Sequence, residues 1–298
     1  MDRKQFLDHV AWTGTGIVWT LGASGVLTAL PSTALAADAK HAVSFVQISD
    51  SHIGFARPEN TDVAGSLAKT IDAINALPQA PDFVIHTGDV THLSKAQQFD
   101  EAKQLLAKLK APLIVLPGEH DVIGDPKGFF TAFGRADAPD GWFSFDRGGV
   151  HFLALVNVFN FEIDGKLGAD QIAFVTNDLK AQKSSTPIVV FAHVPLFALF
   201  ADWGWTTEDG ANVIAQLRRF DNVTVLNGHV HQIQQHVDGN IRFATAASTA
   251  YPQPAPGTAP KPGPLKVPDD QLLHVLGYRT VTLDLDSAAS YADHDLAG

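Results

Sequence analysis

Val43-Ser44-Phe45-Val46-Gln47-Ile48-Ser49-Asp50-Ser51-His52 is an apolar, β-branched run that stops on an acid and an imidazole. Its length and composition are those of a buried strand. After it, Leu67, Ile71, Ile74 and Leu77 recur at helical spacing until Pro78 breaks the pattern. Phe83-Val84-Ile85-His86 reads as a second strand, and Phe99, Leu105, Leu106 and Leu109 mark a second helix. Leu113-Ile114-Val115-Leu116 is a third strand. This β-α-β-α-β order predicts a parallel sheet joined by right-handed crossovers.

The middle of the chain follows a different rule. Trp142–Phe145 and Val150–Val156 flank Arg147-Gly148-Gly149, a hairpin signature. A helical pattern near Ala169–Gln182 leads into the strand Ile188–Phe191. Another near Asn212–Phe220 leads into Val223–Leu226, and a last hairpin turns at Asp238-Gly239-Asn240. Parallel and antiparallel strands together predict an α/β fold of two mixed β-sheets facing each other, with flanking helices outside. Residues 252–268, YPQPAPGTAPKPGPLKVP with its leading Tyr251, are too rich in proline to pair as a central strand. They are expected to wrap the surface or extend as an arm, and residues 287–298 to fray.

The chain has 298 residues, 45% of them hydrophobic and 18% charged, which is globular composition. With no cysteine it has no disulfide scaffold, thiolate metal site or cysteine nucleophile. A net charge of -11 argues against general nucleic-acid binding, which needs a basic stripe.

The N-terminus reads as an address. Arg3-Lys4-Gln5-Phe6-Leu7 precedes a weakly apolar, Gly-rich stretch from Ala11 to Leu30, and Ala34-Leu35-Ala36 offers a small-x-small cleavage site. These are the three parts of an export signal over residues 1–36. The basic pair followed by Gln-Phe-Leu resembles a twin-arginine signal with Lys in the second place. The expected product, residues 37–298, is periplasmic or extracellular, with the export translocase as a transient partner. An uncleaved signal would instead be a membrane anchor, since about 20 apolar residues span a bilayer.

Chemistry-bearing residues gather where strands end. Asp50 and His52 follow the first strand, Asp89 the second, and Glu119, His120 and Asp121 the third. His193 follows Ile188–Phe191, and His229 and His231 follow Val223–Leu226. Such ends converge at one edge of an α/β sheet, and Gly88 and Gly118 permit tight turns or close approach there. So many carboxylates and imidazoles crowd one edge only if cations sit among them. Imidazole with carboxylate and no thiolate suits Zn, Mn or Fe. Seven of these side chains, Asp50, His52, Asp89, Glu119, His193, His229 and His231, suit two ions sharing a bridging carboxylate, the usual device for phosphoryl transfer.

Asp50-Ser51-His52, Gly88-Asp89, Gly118-Glu119-His120-Asp121, the lone His193 and Gly228-His229-Val230-His231 resemble, in order and spacing, the calcineurin-like metallophosphoesterase family over Val43 to His231. The resemblance implies a four-layer α/β/β/α sandwich. It implies two divalent metal ions, the first held by Asp50, His52 and His231, with Asp89 bridging. Glu119, His193 and His229 would hold the second. It also implies attack on a small phosphate ester by metal-bound hydroxide, with His120 protonating the leaving group. Asp121, next in the chain, is expected to orient His120. Position 119 is Glu where the family carries Asn, and His92 stands where relatives often carry an acid or amide. The resemblance leans toward the cyclic-nucleotide phosphodiesterase branch.

Two alternatives stay open. The same fold also serves non-catalytic metal-binding or protein-interaction modules. Phe197, Phe200, Trp203 and Trp205 either pack as their own loop or wall the substrate site. Of the histidines outside these motifs, His86 reads as a core histidine, and His92 as either a partner of the site or a solvated loop residue.

Overall fold

The computed structural model describes residues 17–21, 27–31, 43–159, 164–285 and 288–298. Strands Ile17–Leu21 (β1) and Leu27–Pro31 (β2) pair antiparallel with Ile17 opposite Pro31. The rest of the expected export signal lies outside the described residues. Among the described residues no helix is long and apolar enough to cross a membrane.

Residues 43–298 build two sheets. Val43–Ile48 (β3), Phe83–His86 (β4) and Leu113–Val115 (β5) run parallel, linked by helices Val63–Asn75 and Ala96–Leu106. The first helix starts at Asp62, whose Oδ1 accepts the Gly65 amide at 2.8 Å and satisfies an amide the helix leaves open. The second sheet joins Phe143–Arg147 (β6), Val150–Ala154 (β7), Ile188–Ala192 (β8), Val223–Asn227 (β9), Gln235–Asp238 (β10) and Ile241–Thr245 (β11). Its order is β10-β11-β9-β8-β7-β6, with β11, β9, β8 and β7 parallel and both edge strands antiparallel.

Strand periodicity explains the layering. Phe45, Phe83, Phe152 and Phe191 point into the space between the sheets. There Phe45 stacks on Phe83 at 4.9 Å and meets Phe191 edge-on at 5.5 Å. Their neighbours one step along face the other way. Val46 and Val84 pack on helices Val63–Asn75 and Ala96–Leu106. Leu153 and Val190 pack on helices Ala169–Leu179 and Gly210–Leu217. Both faces of the inner strands β3, β4, β7, β8 and β9 are buried, which is why these strands are continuous apolar runs rather than alternating ones. The result is the four-layer α/β/β/α sandwich.

The C-terminus departs from expectation. Within the stretch expected to fray, Ser290–Asp295 (β13) pairs antiparallel with Gly277–Leu283 (β12), which pairs antiparallel with β3. The first sheet therefore reads β13-β12-β3-β4-β5. Arg279 pins the edge from within the core, its Nε donating to Asp293 Oδ1 at 2.7 Å. An edge strand needs only one satisfied backbone side, so its side chains remain polar and carry no apolar period.

Candidate metal centre

Parallel strands β3, β4 and β5 of one sheet and β8 and β9 of the other deliver their C-terminal ends to one place. Asp50 and His52 follow β3 and Asp89 follows β4. Glu119, His120 and Asp121 form a single 3₁₀ turn after β5. His193 follows β8, and His229 and His231 follow β9. The backbone turns sharply to aim them: Asp50, His52, Asp89, His229 and His231 all have left-handed φ, between 41° and 68°. Non-glycine residues rarely hold that conformation, at a cost of about 1–3 kcal/mol each, and it concentrates at functional sites. Neighbouring strand ends hold the turns in place, Asp50 N donating to Gly88 O at 3.0 Å and His52 N to Asp89 O at 2.9 Å. Gly88, at φ +106°, has no room for a side chain, because a Cβ there would lie 2.4 Å from His193 Nδ1.

The side chains converge in two linked groups. Ligand-type atoms of Asp50, His52, Asp89 and His231 lie within 4.8 Å of one another, as do those of Glu119, His193 and His229. His231 Nε2 stands 3.1 Å from His52 Nε2 and 3.3 Å from Asp50 Oδ1. Glu119 spans the second group, with Oε2 2.7 Å from His193 Nε2 and Oε1 3.0 Å from His229 Nδ1. Asp89 Oδ2 lies between them, 3.5 Å from both His52 Nε2 and His193 Nε2.

The hydrogen bonds of the rings set their tautomers. A carbonyl can only accept, so Nδ1 of His193 donates to Thr87 O, and Nδ1 of His231 to Tyr251 O, each at 2.7 Å. In the neutral ring this leaves the Nε2 lone pair turned inward, the usual preparation of a metal-binding imidazole. His193 Nε2 and Glu119 Oε2 are buried and close, yet their angles make no hydrogen bond. Two lone pairs facing across 2.7 Å repel unless a cation lies between them. This donor set of imidazoles and carboxylates fits divalent Mn, Fe or Zn.

The electrostatics agree. Burial opposes the Asp50 charge, but the His231 and His193 imidazoles outweigh it and hold its pKa at about 2. Burial likewise opposes the Glu119 charge, and His229 and His193 hold it well below the carboxylate range. His193 is raised well above the usual imidazole value: burial disfavours its proton, but Asp89 and Glu119 demand positive charge. The cluster of buried anions requires cations, and protons on imidazole are a partial substitute.

His120 stands at the rim of both groups. Its amide donates to Asp89 Oδ1 at 2.9 Å, and its Nδ1 to His92 O at 2.7 Å, leaving Nε2 as the working atom. The expected contact from Asp121 is not made. Asp121 is fully buried, and its carboxylate accepts from the amides of Val90, Thr91 and Gly118 at 2.7–3.0 Å and from Thr91 Oγ1. In a 3₁₀ turn successive side chains diverge, so Asp121 knits the β4 and β5 loops together instead of orienting His120.

Other residues are resolved by their contacts. His92 is half-buried in the site, its ring stacked on His120 at 5.0 Å and its Nδ1 3.3 Å from His52 Nδ1. His86 is a core histidine, accepting from Gly88 N and paired with Ser51 Oγ at 2.8 Å, with its pKa pushed down to about 3 by burial. The aromatic loop packs on its own body: Phe197 against Phe243 at 4.6 Å, Trp203 against the buried Trp205 at 5.1 Å.

A sixth strand end was missed. β11 runs parallel to β9, and the turn after it brings Ser248 Oγ to Asp50 O at 2.7 Å and Tyr251 over His52 and His231 at 4.9 and 4.6 Å. It carries no acid or imidazole, and its signal was only its position after a strand. From there the Pro-rich segment crosses the β9 loop, Gln253 Nε2 donating to His229 O at 3.0 Å and Gln253 Oε1 accepting Gly263 N at 3.0 Å.

Residues 43–233 match the family described as calcineurin-like phosphoesterase. The chain is 25% identical over 224 residues to the glycerophosphodiester phosphodiesterase GpdQ of Enterobacter lignolyticus, covering 70% of this chain and 77% of that one. It is 24% identical over 218 residues to a 3′,5′-cyclic-nucleotide phosphodiesterase of Nostoc, covering 70% and 79%. Its fold is that of a dimetal phosphatase from Danio rerio, with a TM-score of 0.66 at 12% identity over 87% of this chain and 98% of that one.

Proposed function

The chain belongs to the calcineurin-like phosphoesterase family, and we propose that it hydrolyses a small phosphodiester or phosphomonoester. The observation that carries this reading is the convergence of Asp50, His52, Asp89, Glu119, His193, His229 and His231, with Glu119 Oε2 and His193 Nε2 facing each other unbonded. In this reading Asp50, His52 and His231 hold one divalent ion, Glu119, His193 and His229 hold the other, and Asp89 serves both. Such a pair, when bound, neutralises phosphate oxygens and makes water acidic enough to attack.

The protein's own groups do the rest. His193 and His231 are kept in one tautomer by Thr87 O and Tyr251 O. His92 O fixes His120 so that Nε2 carries a proton toward the departing oxygen. His120 is biased to hold that proton: burial opposes it, but Asp89, Glu119 and the His92 carbonyl raise its pKa.

Relatives named for glycerophosphodiester and cyclic-nucleotide phosphodiesterase activity favour a diester. The test is hydrolysis of cyclic nucleotides, other phosphodiesters, nucleotides and glycerophospholipids by full-length protein reconstituted with Mn, Fe or Zn. Absence of turnover across that panel by protein holding two ions would refute the reading.

Export belongs to the same proposal. Arg3-Lys4-Gln5-Phe6-Leu7 and Ala34-Leu35-Ala36 support a twin-arginine-type route and a periplasmic or extracellular site of action. In cells lacking that translocase the precursor should accumulate in the cytoplasm; normal processing there would rule the route out.

A further inference from the structure

We infer that His92 is a positioning residue for the ion assigned to Asp50, His52 and His231: its Nδ1 accepts the Nδ1–H of His52 and so keeps His52 Nε2 bare as a ligand. The inference rests on the two-ion reading above. His52 is buried, and its two ring nitrogens meet different neighbours. Nε2 lies 3.1 Å from His231 Nε2 and 3.5 Å from Asp89 Oδ2. Nδ1 lies 3.3 Å from His92 Nδ1, its one hydrogen-bond partner among the described residues.

A neutral imidazole has one N–H and one lone pair. When His52 Nε2 gives its lone pair to a cation, Nδ1 carries the proton and needs an acceptor. His193 and His231 meet the same need with the carbonyls of Thr87 and Tyr251. His52 meets it with a second imidazole, which accepts at Nδ1 only while its own proton sits on Nε2. The bond therefore selects one tautomer for each ring, Nδ1–H for His52 and Nε2–H for His92. Without that acceptor the buried N–H of His52 is stranded. Its proton is then better placed on Nε2, where His231 Nε2 can accept it and the cation is kept out.

The backbone holds the two rings at this separation. Past the ends of β3 and β4 the two segments stay in register: His52 N donates to Asp89 O at 2.9 Å, Ile53 N to Val90 O at 2.9 Å and His92 N to Ile53 O at 3.0 Å. Ile53 and Thr91 form a parallel bridge between them. The His92 ring packs edge-on against Phe55 at 5.2 Å and stacks on His120 at 5.0 Å. The residue divides its labour. Its carbonyl accepts from His120 Nδ1, and its side chain serves His52. A side-chain substitution therefore leaves the acceptor of His120 in place.

The experiment sets two variants of the full chain against each other. His92→Asn loses the ring but keeps an acceptor, because Asn Oδ1 hangs from Cγ as His Nδ1 does. His92→Phe keeps a ring against Phe55 and His120 and loses the acceptor. In Mn titrations read by elemental analysis, His92→Phe should bind one of its two ions about 10–100-fold more weakly, the scale of losing such a partner. His92→Asn should match wild type. Any other pattern overturns the inference; the reverse order, with Asn weak and Phe intact, would make His92 a packing residue. A third ion per chain in wild type, held among His52, His92 and His120, overturns it as well. ¹⁵N spectra of histidine-labelled, Zn-loaded wild type need no variant, and should show His52 as Nδ1–H and His92 as Nε2–H. The opposite tautomer at His92 overturns the inference and leaves the phosphoesterase reading standing. Wild type that binds no ion and hydrolyses nothing in the wider panel overturns both.

Discussion

Glu119 Oε2 stands 2.7 Å from His193 Nε2 across the second half of the site, and the two atoms share no hydrogen bond. The tautomer imposed on His193 by Thr87 O makes the approach repulsive in the neutral ring. Glu119 thus has the geometry of a ligand at a position where the family pattern carries Asn.

Glu119→Asn should keep an oxygen at the site while removing a negative charge. We expect one of the two ions to bind about 10–100-fold more weakly, the scale on which perturbing a metal site acts. Metal titration followed by elemental analysis reads this directly. Identical titration curves for wild type and variant would mean that Glu119 is not a ligand.

His120→Ala should lose about 10²–10⁴ in rate on esters of poorly leaving alcohols, with metal content unchanged. The loss should shrink for nitrophenyl esters, whose departing oxygen needs no proton. Equal losses on both kinds of ester would argue against the acid role.

Asp121→Ala should act on stability first. It strips the acceptor from three buried amides and the Thr91 hydroxyl, and each stranded donor costs about 1–3 kcal/mol. Calorimetry should show a large fall in Tm. A variant with wild-type Tm and a hundredfold loss of activity would restore Asp121 as a partner of His120.

Chelation should lower Tm. Five site residues hold left-handed backbone and the buried anions repel one another, so bound ions stabilise the native state by mass action, about 2.7 kcal/mol per site at a hundredfold excess over Kd. For a chain of this size that amounts to roughly 5–10 °C. A Tm indifferent to EDTA and to added Mn would count against an ion-dependent site.

Far from the site, His151 bridges two acids, with Nε2 2.6 Å from Asp178 Oδ2 and Nδ1 2.8 Å from Asp146 Oδ1. Burial opposes the His151 proton, yet the hydrogen bonds that its ring donates to Asp178 and Asp146 raise its pKa. Burial also opposes the Asp178 charge, but the bonds from His151 and Ser144 lower its pKa. A raised histidine stabilises the fold fully below its unfolded value of about 6.5 and loses that contribution as pH rises through its folded value. Asp178 contributes above its unfolded value and loses its share as pH falls through its lowered one. The destabilisation caused by His151→Gln should therefore be larger near pH 5.5 than near pH 9, measured by urea unfolding. The opposite order would mean that His151 is neutral in the native state.

The C-terminal edge shows what periodicity can and cannot carry. β12, GYRTVTL, packs its apolar side chains inward next to β3. β13, SYADHD, is mostly exposed along its length. A strand held by backbone hydrogen bonds at a sheet edge needs no apolar stripe, so none was there to read. The site divides in the same way. His193 and the Gly-His-x-His loop were legible because they follow strands. The turn after β11 and the place of His92 were not, because a carbonyl or a lone imidazole leaves no pattern.

Local chemistry in the sequence determined the alternation of strands and helices, the burial of both faces of the inner strands and the polar clusters at five strand ends, because each depends on residues a few positions apart. Only the tertiary structure decided that Asp121 serves the backbone rather than His120, that Glu119 faces His193, and that His92 stacks on His120. These contacts join residues tens of positions apart in the chain. They are set by how two sheets pack and by the sharp left-handed turns at Asp50, Asp89 and His229, conformations that no periodicity announces and that surrounding structure must enforce.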